Sequence, residues 1–218
     1  VRLDHAKAAA RELLHSDDDS PLARKARRSA IEDLRRLDAG HLRDIRTLHR
    51  RFDADWSPAR RPVLAAQSAE LEGLIASAGL VCIAGGHVAV LLNRLKLFGL
   101  ERALRSRPVA AWSAGAMALA ERIVLFHDHP PQGAGNAEVF EAGLALVRGA
   151  VFLPHAATRL AMSDAPRLSL LARRFAPATC YTLDDGSRLL WRRGRLAAAA
   201  GSQRLTRTGR QVPTGARA

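Results

Sequence analysis

Ala110-Ala111-Trp112-Ser113-Ala114-Gly115-Ala116-Met117 is the stretch that decides how this chain is read. Pro108 to Trp112 is an apolar run of strand character, and Ala114 to Ile123 has the pattern of a helix. A chain that reverses from strand to helix within one residue strains the backbone at the apex, so its neighbours must be small. Ala111 and Gly115 meet that demand. The arrangement predicts a nucleophile elbow, with the Ser113 hydroxyl projecting above a sheet edge and the Ala114 N–H at the helix start facing a developing oxyanion. An ordinary small-residue turn satisfies the same pentapeptide, so its surroundings must decide.

Outward from the elbow, helix and strand alternate. Ala66 to Ala78 reads as a helix, Leu80 to Ala84 as a short apolar strand, and Val88 to Phe98 as a helix entered through Gly85-Gly86-His87. Pro108 to Trp112 is the next strand and Ala114 to Arg122 the helix that follows it. Ala145 to Leu153 contains another strand, Arg167 to Phe175 a helix, and Ser187 to Arg192 with Arg195 to Ala199 a hairpin turning at Arg193-Gly194. This order predicts an α/β fold, three layers deep, with a largely parallel sheet whose active site gathers at the carboxyl ends of strands.

The first 60 residues are different. His5 to Leu14 is helical, Ser16 to Ser20 is an acidic break, and Pro21 opens a helix to about Asp53 carrying Ile31, Leu34, Leu37, Leu42, Ile45, Leu48 and Phe52 at helical spacing. The pattern predicts a helical hairpin whose apolar stripe is covered by its own body or by a second copy of the chain. The division expected is a helical extension or insertion over 1–60, an α/β domain over 61–202 and a basic disordered tail over 203–218.

The net charge of +13 is concentrated at the C-terminal end: residues 167–218 carry 11 basic and 2 acidic side chains, against 8 and 8 in residues 62–166. Arg204, Arg207, Arg210 and Arg217 stand among Gly, Thr and Ser without apolar periodicity, the pattern of a solvated tail. No aromatic stacking platform accompanies them, so nucleic acid is not an expected partner. No run long enough to span a membrane and no signal-peptide pattern is present, so a cytoplasmic location and no membrane contact are expected. Cys82 and Cys180 have no Cys-x-x-Cys or Cys/His metal spacing. Reduced structural thiols, no cofactor and no metal follow as expectations.

Three further motifs bear on Ser113. Gly85-Gly86 ends a strand with backbone that can approach a ligand closely, suited to a second oxyanion donor. Phe152-Leu153-Pro154-His155 puts a histidine just beyond an apolar strand, where a general base reaches a serine on a neighbouring strand. Phe126-His127-Asp128-His129-Pro130 places an acid in the loop after the elbow helix. Each alone has a dull explanation: a glycine turn, a polar strand end, a solvated loop.

Taken in order, from about Leu64 to Leu190, these motifs resemble the peptidase E and cyanophycinase family of serine peptidases, whose fold is similar to class I glutamine amidotransferases. Gly85-Gly86-His87-Val88 resembles its Gly-Gly-Asn segment, with His87 in place of asparagine. Trp112-Ser113-Ala114-Gly115-Ala116 resembles its elbow, Asp128 stands where its catalytic aspartate is carried, and Pro154-His155 with Arg159 resembles its histidine motif. Leu183-Asp184-Asp185-Gly186 is similar to its acidic turn. The resemblance implies Ser113 as nucleophile, His155 as base, Asp128 as the acid orienting the imidazole, Gly86 and Ala114 as the oxyanion hole, and His87 and Arg159 as substrate contacts. Arg159 would meet an acidic or aspartyl residue beside the cleaved bond. A glutamine amidotransferase is disfavoured, because that chemistry uses an elbow cysteine and a His-x-Glu pair, whereas this chain has Ser113 and His155-Ala156-Ala157. The family's glycine-rich first strands have no counterpart in residues 1–60 and are expected to be missing from this sequence.

The function expected is therefore a serine hydrolase of peptide or small amide substrates, with a homodimer through the N-terminal helices. The alternative is a catalytically inactive member of the fold serving as a binding or oligomerisation module.

Overall fold

A computed structural model describes residues 2–127 and 137–215. Its first element, α1 (Arg2–His15), precedes α2 (Pro21–Trp56), which starts where Ser20 Oγ accepts the Ala23 N–H at 3.1 Å and Pro21 supplies a preset φ at the first helical position. Ile31 and Leu34 of α2 bury with Ala10 of α1 against Leu170 further along the chain, so this end of the apolar stripe packs on its own body. The other end does not: Leu48, Phe52 and Trp56 are each more than half exposed.

A 3-10 turn (Pro58–Arg60) leads to α3 (Pro62–Ser77), β1 (Val81–Ile83), α4 (Val88–Leu97), α5 (Glu101–Arg105), β2 (Val109–Ala111) and α6 (Ala114–Leu119). β1 and β2 pair in parallel, with Val81 opposite Val109 and Ile83 opposite Ala111. β3 (Ile123–Leu125) and β4 (Glu138–Glu141) pair antiparallel. α6 stops three residues earlier than its pattern suggests. Ala120 leaves the helix to bridge to Val147, and the Ala118 carbonyl accepts the Leu144 N–H, so long-range partners replace the next helical turn.

β5 (Ala150–Pro154) is buried throughout, as a strand covered on both faces must be, and is followed by the short helix α7 (Ala156–Arg159) and by α8 (Ala165–Phe175). β6 (Thr179–Leu183) pairs with β5 in parallel. β7 (Arg188–Arg192) and β8 (Arg195–Ala200) form the expected hairpin, whose two turn residues, Arg193 and Gly194, both have positive φ as a tight two-residue turn requires.

The segment from 203 onward departs from the expected solvated tail. β9 (Gln203–Leu205) pairs antiparallel with β6, and β10 (Gln211–Pro213) pairs with β9, giving the four-stranded order β10-β9-β6-β5. Leu205, Ser202 and Thr214 are buried there. Strands this short show no alternation of their own; the open edge of β6 supplies hydrogen-bond partners to β9, and β9 in turn to β10.

The chain is thus a mixed α/β structure containing parallel strands, and among the described residues the strands fall into four hydrogen-bonded sheets. The main core joins Leu92, Leu104, Met117, Ile123, Leu153 and Leu168. A second cluster sets Phe152 and Tyr181 against Trp191 of the hairpin, edge to face at 5.4 and 5.7 Å. No helix among the described residues is long and apolar enough to cross a membrane.

Candidate active site

Ser113 stands at the junction of β2 and α6 with φ 51° and ψ −124°, a conformation a non-glycine residue adopts only when its surroundings impose it. Those surroundings are visible. The Trp112 N–H continues the β1–β2 ladder by donating to Ile83 O at 3.2 Å, and just beyond it the bond from the Met117 N–H to Ser113 O opens the helix. A Cβ on Gly115 would lie 2.3 Å from Ile83 O, so only glycine lets the helix start this close to β1. On the other side, a Cβ on Gly85 would come within 2.9 Å of Ser113 Cβ. Gly85 therefore clears the space for the serine, a role beyond the oxyanion function expected of the glycine pair, although two glycines at a strand end are the signal for it.

His155 follows β5 with φ 57° and ψ 39°. Its N–H donates to Leu183 O at 2.8 Å, extending the β5–β6 ladder by one residue before the chain turns into α7. Asp184, just beyond β6, accepts the Ala157 N–H on Oδ1 at 2.9 Å. Two bonds from the end of β6 thus fix the turn that carries the imidazole. The outcome is a His155 Nε2 lying 3.2 Å from Ser113 Oγ, within reach for the hydroxyl to donate to a neutral ring.

Beside Ser113 lies a cavity of about 620 Å³. Gly86, His87, Ala114 and Arg159 all line it, so four of the residues singled out in the sequence meet the serine in one place. Gly86 has φ 123°, open only to glycine, and His87 is the exposed residue preceding α4. Arg159 closes α7 and is half-buried. Asp128 lies outside the described residues. His127 and Glu138 also line the cavity, and neither is among the residues expected there from the sequence. His127 sits in the His127-Asp128-His129 triplet and its Nδ1 is buried with no hydrogen-bond partner among the described residues. Nothing near Glu138 in the sequence marks it.

A larger cavity, about 1180 Å³, opens between α2 and α4 beside Phe52, Asp53 and Asn93. None of the candidate catalytic side chains lines it. Among the described residues no group of three or more His, Cys, Asp or Glu side chains is arranged to hold a metal ion.

Comparison with known families bears on the chain as a whole. The model of peptidase family S51 matches residues 39–198, most of the chain and all of the site. The chain belongs to peptidase family S51. Membership agrees with the peptidase E resemblance read from the sequence. α1 and the first half of α2 lie outside the S51 match. Among solved structures, the chain is similar to a protein assigned as a peptidase E from Listeria monocytogenes EGD-e, with 17% identity and a TM-score of 0.42. That similarity covers 63% of this chain and 65% of the other, so the chain spans less than two thirds of that protein's length. No curated protein matches the chain.

Proposed function

We propose that this S51 member is a serine hydrolase of peptide or amide bonds, and the observation carrying the proposal is the 3.2 Å separation of Ser113 Oγ and His155 Nε2. In this reading Ser113 Oγ attacks the carbonyl carbon while His155 Nε2 takes its proton, and the carbonyl electrons move to oxygen. The N–H groups of Gly86 and Ala114 receive that oxyanion. The tetrahedral species collapses, the C–N bond breaks, and the imidazolium returns the proton to the leaving amine. Water then attacks the acyl-serine with His155 again as base, releasing acid and free serine. Asp128 is assigned the orientation of the imidazole. Arg159, a planar guanidinium in the cavity, suits a carboxylate on the substrate, and His87 contacts the substrate at the rim.

A fluorophosphonate probe tests this directly. Wild-type protein should be labelled on Ser113, and Ser113→Ala should lose the label. An unlabelled, folded wild type would overturn the proposal and favour a binding or oligomerisation module. Hydrolysis of small aspartyl amides then tests the role of Arg159.

A further inference from the structure

One wall of the cavity is held from outside the catalytic elements. β3 leads into Leu125, Phe126 and His127, and β4 begins at Glu138; all four residues line the cavity. β4 is paired with β3, and side chains from four helices grip it as well. Arg174 of α8 donates to Ala137 O at 2.7 Å, and its guanidinium is fixed by a bidentate, buried pair with Asp38 of α2. His41 of α2 bonds Phe140 O at 2.9 Å, and Lys96 of α4 pairs with the buried Glu141. At the cavity end, Lys7 of α1 brings Nζ to 3.4 Å from Glu138 Oε1.

Lys7 is the unusual member. It is 2% exposed, and its other carboxylate neighbour is Asp4 at 3.6 Å. A buried ammonium is costly unless paired, so Lys7 is tied to the carboxylate it faces. Glu138 in contrast keeps 59% of its side chain exposed, with one oxygen on Lys7 and the carboxylate in a residue lining the Ser113 cavity. A carboxylate anchored on one side and open on the other is a receptor for positive charge.

We propose that Glu138 is a specificity-determining residue of the candidate site: held at the cavity wall by the buried Lys7, it receives a positively charged group of the ligand, ammonium or guanidinium. Lys7 is then a positioning residue, and α1, which lies outside the S51 match, is a working part of the site. The proposal rests on the hydrolase reading only for its labelling arm.

The test uses the full chain and two phosphonates of equal length, one ending in a primary ammonium and one in a methyl group. Each is prepared as a reactive fluorophosphonate and as an unreactive ester. Wild type should bind the unreactive ammonium ester more tightly than the methyl ester, and Ser113 should react faster with the ammonium probe. Glu138→Gln should reduce that preference about tenfold, the loss of one charged hydrogen bond. Lys7→Met should reduce it similarly, Lys7→Arg should restore most of it, and Arg11→Gln, on the same helix but paired with Asp164, should leave it intact. Glu138 is exposed, so its variant remains informative if Lys7→Met fails to fold. Equal binding of both esters by wild type, or a preference unchanged in Glu138→Gln, would overturn the proposal. Charge preference in binding without any labelling would instead sustain it and remove the hydrolase reading.

Discussion

Ser113 and His155 are 42 residues apart in sequence, and their reactive atoms are 3.2 Å apart in the folded chain. Neither has a sequence neighbour that achieves this: β2 delivers the serine and β5 the histidine, each at a strand's carboxyl end. Because the two act as one unit in the proposed mechanism, Ser113→Ala and His155→Ala should each lower kcat by roughly 10⁴ or more, and the double variant should be scarcely worse than either. Steady-state kinetics of the three proteins on one amide substrate checks this. Additive losses would separate the two residues.

The elbow depends on a missing side chain. Gly115→Ala would set a methyl carbon 2.3 Å from Ile83 O and 2.8 Å from Ala84 O, both backbone atoms that cannot swing aside. It should destabilise the fold by on the order of 1–3 kcal/mol, seen as an earlier denaturation midpoint, and depress Ser113 labelling. Gly73 makes the contrast: it lies inside α3, where an added methyl group would meet nothing within 4 Å, and Gly73→Ala should stabilise by about 0.5–1 kcal/mol.

Asp184 holds the backbone that carries His155, through its bond to the Ala157 N–H at 2.9 Å. Asp184→Ala should lower kcat about tenfold with little change in KM, the cost of one hydrogen bond in a turn that must position a base. Asp184→Asn retains an oxygen acceptor and should recover most of the rate. A loss in Asp184→Asn equal to that in Asp184→Ala would show that the charge matters rather than the turn.

Burial pushes the Cys180 thiol up from 9.0 to about 12. The folded protein therefore keeps the thiol protonated where the unfolded chain would ionise it, so the associated stability is present below pH 9 and is lost as pH rises toward 12. The difference in melting temperature between wild type and Cys180→Ala should shift against wild type across that window. At mildly alkaline pH a thiol reagent should modify the exposed Cys82 in native protein, and the buried Cys180 only after unfolding.

How much of this was legible depends on how far apart the cooperating atoms are. The elbow at Ser113 and the turn at Arg193-Gly194 were readable because steric demand acts between adjacent residues: a positive φ, a small neighbour, a glycine. Helix α2 was readable from Pro21 and from a stripe repeating along one element. The strands β9 and β10 were not, since Gln203 to Leu205 and Gln211 to Pro213 have no pattern of their own: β9 takes its conformation from the edge of β6, and β10 from β9. Glu138 carried no signal either, because its importance comes from Lys7, 131 residues earlier.

By itself the sequence determined that Ser113 is an elbow residue, that helix and strand alternate around it, and that the ordered motifs belong with the serine peptidases of family S51. Only the tertiary structure decided that His155, the histidine expected as base, comes within 3.2 Å of the serine, that Gly85 makes room for it, and that α1 reaches the cavity wall through Lys7. The reason is physical: backbone sterics and helical periodicity act over a few residues, whereas a 3.2 Å contact between two strand ends exists only once packing has set the strands side by side.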